Sequence, residues 1–404
     1  MIPYGRQLIS KDDIDAVVSI LKSDFLTQGP AVPEFEKMFA RKVGVEFSVT
    51  TNSATSALHL ACLALGVGPG KRVWTSPISF VASSNCALYC GAEVDFIDID
   101  NDTYNISIDC LEQKLEYAKE YDQLPHVIIP VHLSGQSSDM RSIKNLSETY
   151  GFQIIEDASH ATGAKYNSKY VGSCEYSDIC VFSFHPVKII TSGEGGIATT
   201  NNKDIAVSMS ELRSHGITRD PDSMKEKPHG SWFYEQNELG YNYRMTDISA
   251  ALGLSQLSKL DDFVDNRHLI ARRYYDELRV ENIKLPFQLE NTRSSYHLFI
   301  IRTIAKEGPM SHKELFERLR KSGINVNLHY IPIYRHPYYE KIGFNNNDYP
   351  NSESYYSEAI SIPIFPAMTE DQQNYVINTI KEINSEQIIE YGYNKKRDGF
   401  QDLF

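Results

Sequence analysis

Apolar positions along the chain follow two rhythms. Near the N-terminus, Ser10 can cap a helix in which Ile14, Val17, Val18 and Leu21 recur at helical spacing. A turn at residues 26–30 leads to a second amphipathic helix through Phe35, Met38 and Phe39. From Phe47 short apolar runs alternate with helical patterns. Strands are predicted at 47–51, 72–75, 94–99, 126–131 and 153–156, with helices at 57–65, 79–89, 109–120 and 139–150. A buried strand at 179–184 follows, and 196–200 closes the set. This alternation predicts an α/β fold, a mainly parallel sheet covered by helices on both faces. Further on, the pattern predicts a helix at 203–214, a polar loop at 219–230 and one long helix from 248 to about 278. Leu285-Pro286 marks a boundary. Beyond it come strands at 296–303 and 325–330 and helices at 311–322, 351–360 and 369–383, a smaller α+β domain. The domains are therefore drawn at 1–284 and 285–386, with a poorly ordered tail at 387–404.

Charge and composition narrow the classes. Acidic residues outnumber basic ones, 53 to 40, which argues against a nucleic-acid or anionic-membrane binder. No apolar run approaches the roughly 20 residues that span a bilayer. Residues 1–6 lack the apolar stretch of a signal peptide. The six cysteines include no C-x-x-C pair and read as core residues in a reducing, cytoplasmic compartment. Cys86 and Cys90 could ligate zinc, although no partner pair is apparent.

Candidate chemistry gathers where strands end. Pro186 stops the strand that ends near Phe184, which leaves Lys188 on a loop just beyond it, ahead of Gly193-Glu194-Gly195-Gly196. Ligands of open α/β sheets sit outside the carboxyl ends of the strands, where a lysine can condense with a carbonyl. The plainer reading is a solvated loop lysine. Asn52-Ser53-Ala54-Thr55-Ser56 joins a strand to a helix. Unpaired N–H groups and the positive dipole end make Thr55 and Ser56 candidate phosphate ligands, or Ser53 or Thr55 is simply the cap. Asp157 ends a buried strand, is costly unless paired, and would suit a protonated ring nitrogen. His160 lies three residues on and could reach the same ligand, or the two form a structural pair. Phe80 opens a helix and could stack on a flat ring or be core. The first strand-to-helix turn has no G-x-G-x-x-G, which argues against a nicotinamide-binding fold.

Together, Asn52 to Leu58, Glu156-Asp157-Ala158-Ser159-His160-Ala161, Ser183-Phe184-His185-Pro186-Val187-Lys188 with Glu194-Gly195-Gly196, and Leu239-Gly240-Tyr241-Asn242-Tyr243-Arg244 resemble the DegT/DnrJ/EryC1/StrS family of nucleotide-sugar aminotransferases. The resemblance implies a fold-type I enzyme that uses pyridoxal 5'-phosphate. It implies that Lys188 forms a Schiff base with the cofactor aldehyde, Asp157 pairs with the pyridinium nitrogen and Phe80 stacks on the ring. Thr55, Ser56 and Ser183 would hold the phosphate, and Asn242 would reach the phosphate of the other subunit of a homodimer. The spelling His185-Pro186-Val187-Lys188, together with Asn327-Leu328-His329-Tyr330-Ile331-Pro332, is similar to the family branch of pseudaminic-acid biosynthesis. That likeness implies amino transfer from L-glutamate to C4 of a UDP-linked 4-keto-6-deoxy-N-acetylhexosamine, with His329 and Tyr330 near the sugar nucleotide. A histidine in place of Lys188, as in the family's sugar dehydratases, could not form the imine. Two rivals are an aminotransferase for a dTDP- or GDP-linked keto-sugar and a non-catalytic protein that keeps the cofactor fold.

Overall fold

The computed structural model describes residues 1–304 and 311–398, with side chains described as far as 386. Seven strands build the central sheet: β1 (Phe47–Thr51), β2 (Arg72–Thr75), β3 (Glu93–Phe96), β4 (Val127–Ile129), β5 (Gln153–Asp157), β6 (Ile179–Ser183) and β7 (Gly196–Thr200). Their order is β1-β7-β6-β5-β4-β2-β3. Only β7 runs against the rest, pairing antiparallel with both β6 and β1. The carboxyl ends of the other six therefore open on one edge.

Burial with period two explains why these runs become strands. Val127 and Ile129 enter one core and Ile128 the other; Ile179 and Val181 enter the first, Cys180 and Phe182 the second. Each face must then be covered. Helices α1 (Lys11–Leu21), α2 (Ala31–Val43), α3 (Ala54–Ala64), α4 (Ala82–Tyr89), α5 (Ile108–Glu120), α6 (Met140–Tyr150), α7 (Lys203–Leu212), α8 (Asp247–Leu257) and α9 (Leu260–Glu277) follow in chain order. The first face is covered through Leu58 and Ala61 of α3, Cys86 and Ala87 of α4 and Met209 of α7. The second is covered through Phe35 and Phe39 of α2, Leu111 of α5, Ile143 of α6 and Val264 of α9.

A three-stranded antiparallel sheet, β8 (Ile283–Lys284), β9 (Phe299–Thr303) and β10 (Ala359–Ile362), carries the C-terminal part. Helices α10 (His312–Lys321), α11 (Pro350–Glu358) and α12 (Glu370–Asp398) accompany it. Leu315, Leu319, Val376 and Ile380 share its core with Ile270 and Tyr274 of α9. We propose the boundary near 284/285 with one qualification from this packing: β8 already lies in the smaller sheet, and α9 passes its side chains from one core to the other.

Four local expectations differ from what is observed. The helix expected over 248–278 is two, α8 and α9, broken at Ser258 and Lys259. Lys259 reaches back to Ser10 Oγ and Asp13 Oδ1, 2.5 and 2.8 Å away, so the break anchors α1 while α9 turns toward the second core. Residues 325–330 form no strand. Asn327 makes one bridge to Ser361, and the segment is held by side chains instead: His329 Nδ1 lies 2.8 Å from Ser361 Oγ, and Tyr355 donates to the His329 carbonyl. Helix α11 stops at Glu358, because the segment after it, with Ile360 and Ile362 in alternate positions, joins β9 as β10. Helix α12 runs through Asp398, so the backbone continues a helix where a separate tail from 387 was expected; residues 399–404 lie outside the described residues.

Candidate active site

The carboxyl-end edge of the sheet opens into a cavity of about 780 Å³. Most of its walls are strand ends and the segments just after them, and Tyr4 with residues 327–330 completes the lining. After β1 comes α3. Ser53 is its N-cap and accepts the Ser56 N–H at 3.2 Å, while Ser56 Oγ donates to Asn52 Oδ1 at 2.6 Å. The plainer reading of Ser53 as a cap therefore holds; of the first turn, Ala54, Thr55 and Ser56 line the cavity. Gly196 of β7 makes this approach possible: a Cβ there would stand 2.5 Å from Ala54 N.

Strand β5 ends in Asp157, buried, with the Ser83 hydroxyl donating to Oδ2 at 2.6 Å and the Ser159 N–H to Oδ1 at 3.1 Å. Because β6 pairs in parallel beside β5, with Asp157 opposite Val181, its continuation brings Lys188 to the same cavity. Thr191 Oγ1 and Ser192 N both donate to the Phe184 carbonyl, at 2.9 and 3.0 Å, closing the lysine loop. Lys188 is half-buried and lines the cavity. Burial draws its ammonium down to about 8, against Asp157, whose charge acts to raise it.

His160 is buried. Its Nδ1 accepts the Ser134 N–H at 3.3 Å, which leaves Nε2 to carry the proton and donate to the Tyr330 hydroxyl at 3.0 Å. Burial, then the charges of Lys188 and His329, hold the His160 imidazolium well below its usual range. His329 is pulled to about 3, first by burial and then by Lys188. Its two nitrogens face Ser361 Oγ and Asn327 Nδ2. Burial raises the Tyr330 phenol, so its proton stays available for donation.

Thr55, Ser56, Phe80, Asp157, His160, Ser183, Lys188, His329 and Tyr330 thus line one cavity. Phe80 precedes α4 rather than opening it, and its ring is 59% exposed. Asn242 is exposed and does not line this cavity; its neighbour Tyr243 accepts the Asn52 N–H at 2.8 Å. Sequence reasoning missed Tyr4, Asn327, Ser79 and Ser83. Ser79 and Ser83 sit at helical spacing on either side of Phe80, a signal that a second hydroxyl turn accompanies the stacking residue. For Cys86 and Cys90, no group of three or more His, Cys, Asp or Glu among the described residues is arranged to hold a metal ion.

This donor set fits a flat phosphorylated aldehyde. A helix start with hydroxyls suits a phosphate, an amine of lowered pKa suits an aldehyde, a doubly bonded carboxylate suits a ring cation, and an exposed phenyl face suits the ring. Fold and site together define a fold-type I pyridoxal-phosphate aminotransferase. Residues 7–381 match the DegT/DnrJ/EryC1/StrS aminotransferase family, and the chain belongs to it. It is 39% identical over 384 residues to the UDP-4-amino-4,6-dideoxy-N-acetyl-beta-L-altrosamine transaminase of Campylobacter jejuni, covering 95% of this chain and 97% of that one. Among solved structures it resembles Helicobacter pylori PseC, an aminotransferase involved in the biosynthesis of pseudoaminic acid (TM-score 0.86, 30% identity, 95% and 99% coverage). It also resembles the PLP form of the sugar aminotransferase Spr1654 of Streptococcus pneumoniae (TM-score 0.84, 29% identity, 96% and 99% coverage). The enzyme is a sugar aminotransferase that takes a keto-sugar and an amino donor and uses pyridoxal phosphate. Among the described residues, no helix is long and apolar enough to cross a membrane.

Proposed function

We propose that the chain moves an amino group from L-glutamate to C4 of a UDP-linked 4-keto-6-deoxy-N-acetylhexosamine, as a cytoplasmic homodimer with shared active sites. The observation that carries the chemistry is Lys188, an amine at a strand end whose pKa is about 8, facing a cavity it shares with Asp157. The named Campylobacter relative supports the choice of sugar. When bound, the cofactor supplies an electron sink for the charge left on a substrate carbon.

The chain's own residues do the rest. At pH 7.5 roughly a quarter of a group with this pKa is neutral, against roughly 0.1% of an ordinary lysine. Lys188 can therefore take a proton from the donor's carbon and later return one to C4 of the sugar. Asp157, held in place by Ser83 and Ser159, would pair with the cofactor ring nitrogen. Thr55, Ser56 and Ser183 would hold the phosphate end of the cofactor, and Phe80 would stack on its ring. His160 stays neutral and fixes Tyr330, whose hydroxyl is left to donate into the cavity toward the sugar nucleotide. His329, with its nitrogens turned to Ser361 and Asn327, shapes the wall behind it.

Two features support a second copy. Ile14, Val18, Leu21 and Phe25 leave an apolar stripe exposed along α1 and just beyond it, and Asn242 stands exposed away from its own cavity. All six cysteines are free thiols, which suits the cytoplasm. The test is a visible spectrum of the purified protein before and after L-glutamate, followed by UDP-, dTDP- and GDP-linked keto-sugars with 2-oxoglutarate as readout. Lys188→Ala is expected to lose the visible absorbance of bound cofactor and all turnover. Turnover by Lys188→Ala without added amine would overturn the role of Lys188. Turnover confined to a dTDP- or GDP-sugar would overturn the substrate.

A further inference from the structure

Three of the six cysteines meet where α3 packs on α4. Cys62 lies on α3, Cys86 on α4, and Cys90 caps the C-terminus of α4. Cys62 and Cys86 are fully buried, while Cys90 keeps a path to solvent. Cys86 and Cys90 are one helical turn apart, Cys62 and Cys86 share one buried cluster, and Cys90 packs against that cluster. Cys86 is also engaged with the Ser83 carbonyl at 3.4 Å, and it sits within the helix, where its backbone is fixed. Cys90 sits at the helix end, where the backbone can shift.

One turn before Cys62 on α3, His59 is 4% exposed. Its Nδ1 lies 3.3 Å from the Tyr243 hydroxyl, and its Nε2 has no hydrogen-bond partner among the described residues. The rings of Tyr89, Tyr241 and Tyr243 surround it at 5.6, 4.8 and 6.0 Å. The groups acting on Cys90 are the Cys62 thiol, the His59 imidazole and the Tyr243 phenol.

We propose that Cys90 and Cys62 form a thiol–disulfide site, with Cys90 as the entry thiol for small-molecule disulfides and Cys62 as the resolving thiol. The Cys90 thiolate attacks one sulfur of the disulfide, and that S–S bond breaks to release one thiolate. Cys62 then attacks the Cys90 sulfur of the mixed disulfide and expels the second thiolate, which takes up the Cys62 proton. The two cysteines lose two electrons and the small disulfide gains them. Bond formation draws the sulfurs to roughly 2.05 Å. The new bond joins the helix whose first turn carries Thr55 and Ser56 to the helix whose Ser83 holds Asp157. The local chemistry agrees with this order. Cys90 is drawn down to about 6, first by the Cys62 thiol, against burial, with His59 adding to the effect. Cys62 is pushed well up by contact with Cys86 and Cys90 and by burial.

Cys110, also half-buried, is the internal control. The holoenzyme is treated at pH 6 with hydroxyethyl disulfide, a neutral probe, and the cysteines are mapped by mass spectrometry without reduction. At that pH about half of the Cys90 thiols are ionised, against roughly 0.3% of an ordinary thiol. Lower basicity returns part of that advantage, so Cys90 is expected to react about tenfold faster than Cys110. A peptide linking Cys62 to Cys90 should accumulate and vanish on reduction. In Cys62→Ser, Cys90 should stop at the mixed disulfide; in Cys90→Ser, the fast reaction should be lost. Equal rates at Cys90 and Cys110, or no linked peptide in the native chain, would overturn the proposal. So would a Cys86–Cys90 link in Cys62→Ser that forms as fast as the native one.

Discussion

Lys188→Met, studied without cofactor, measures the charge penalty on which the chemistry rests. Lys188 titrates at about 8 instead of 10.5, chiefly through burial. Between those values the unfolded chain binds more protons than the native one, so stability rises with pH across this window. Below pH 8 the native state carries the full penalty, about 3 kcal/mol at 1.36 kcal/mol per unit. By pH 9.5 about half of it is gone. The variant has no such group. Its stability relative to the native sequence should therefore be greatest at pH 7 and fall by about 2 kcal/mol by pH 9.5, an upper figure because cavity water screens the charge. The packing of the methionine side chain is the same at both pH values and drops out of the comparison. Urea unfolding at the two pH values, followed by circular dichroism, gives the number. A gap that stays constant within about 0.5 kcal/mol would mean that Lys188 is an ordinary lysine, and the proposed proton transfer would lose its physical basis.

Other substitutions test the frame around the lysine. Gly196→Ala places a methyl 2.5 Å from Ala54 N and should cost about 1–3 kcal/mol, while weakening cofactor affinity because the first turn of α3 must move; an unchanged cofactor Kd would contradict the close approach. Glu156→Ala removes the partner of buried His132, 2.7 Å away, and of the Ser177 hydroxyl, and should cost about 3–5 kcal/mol in chemical denaturation. Phe80→Ala removes an exposed ring and should leave stability within about 0.5 kcal/mol while weakening cofactor binding, which fluorescence titration would show. Tyr330→Phe should leave cofactor absorbance intact and raise the KM for the keto-sugar; an unchanged KM would remove Tyr330 from the substrate wall.

Much of the site was legible because each piece is local. A β-branched run stopped by proline, a capped helix start with hydroxyls and an acid at a strand end each announce themselves within ten residues. The order of such pieces on alternating strands and helices then matched one family. The illegible part came from partners distant in the chain. Ser83 meets Asp157 across 74 positions, and Tyr4 enters the cavity because residue 2 bridges to residue 324. Residues 325–330 read as a strand by composition, yet side chains of α11 and β10 satisfy them instead. The break after α8 has no glycine or proline to mark it. It is set by the Lys259 contacts to Ser10 and Asp13, close to the other end of the chain.

The order of residues alone therefore determined the rhythm of strands and helices, and with it the edge on which chemistry could sit. It also supplied the amine, the carboxylate and the hydroxyls as types. Only the tertiary structure decided that β5 and β6 are neighbours running the same way, which brings Asp157 and Lys188 to one cavity. Burial, a property of the assembled chain, then lowers the proton affinity of that lysine, because desolvation disfavours a charge that no local motif can place.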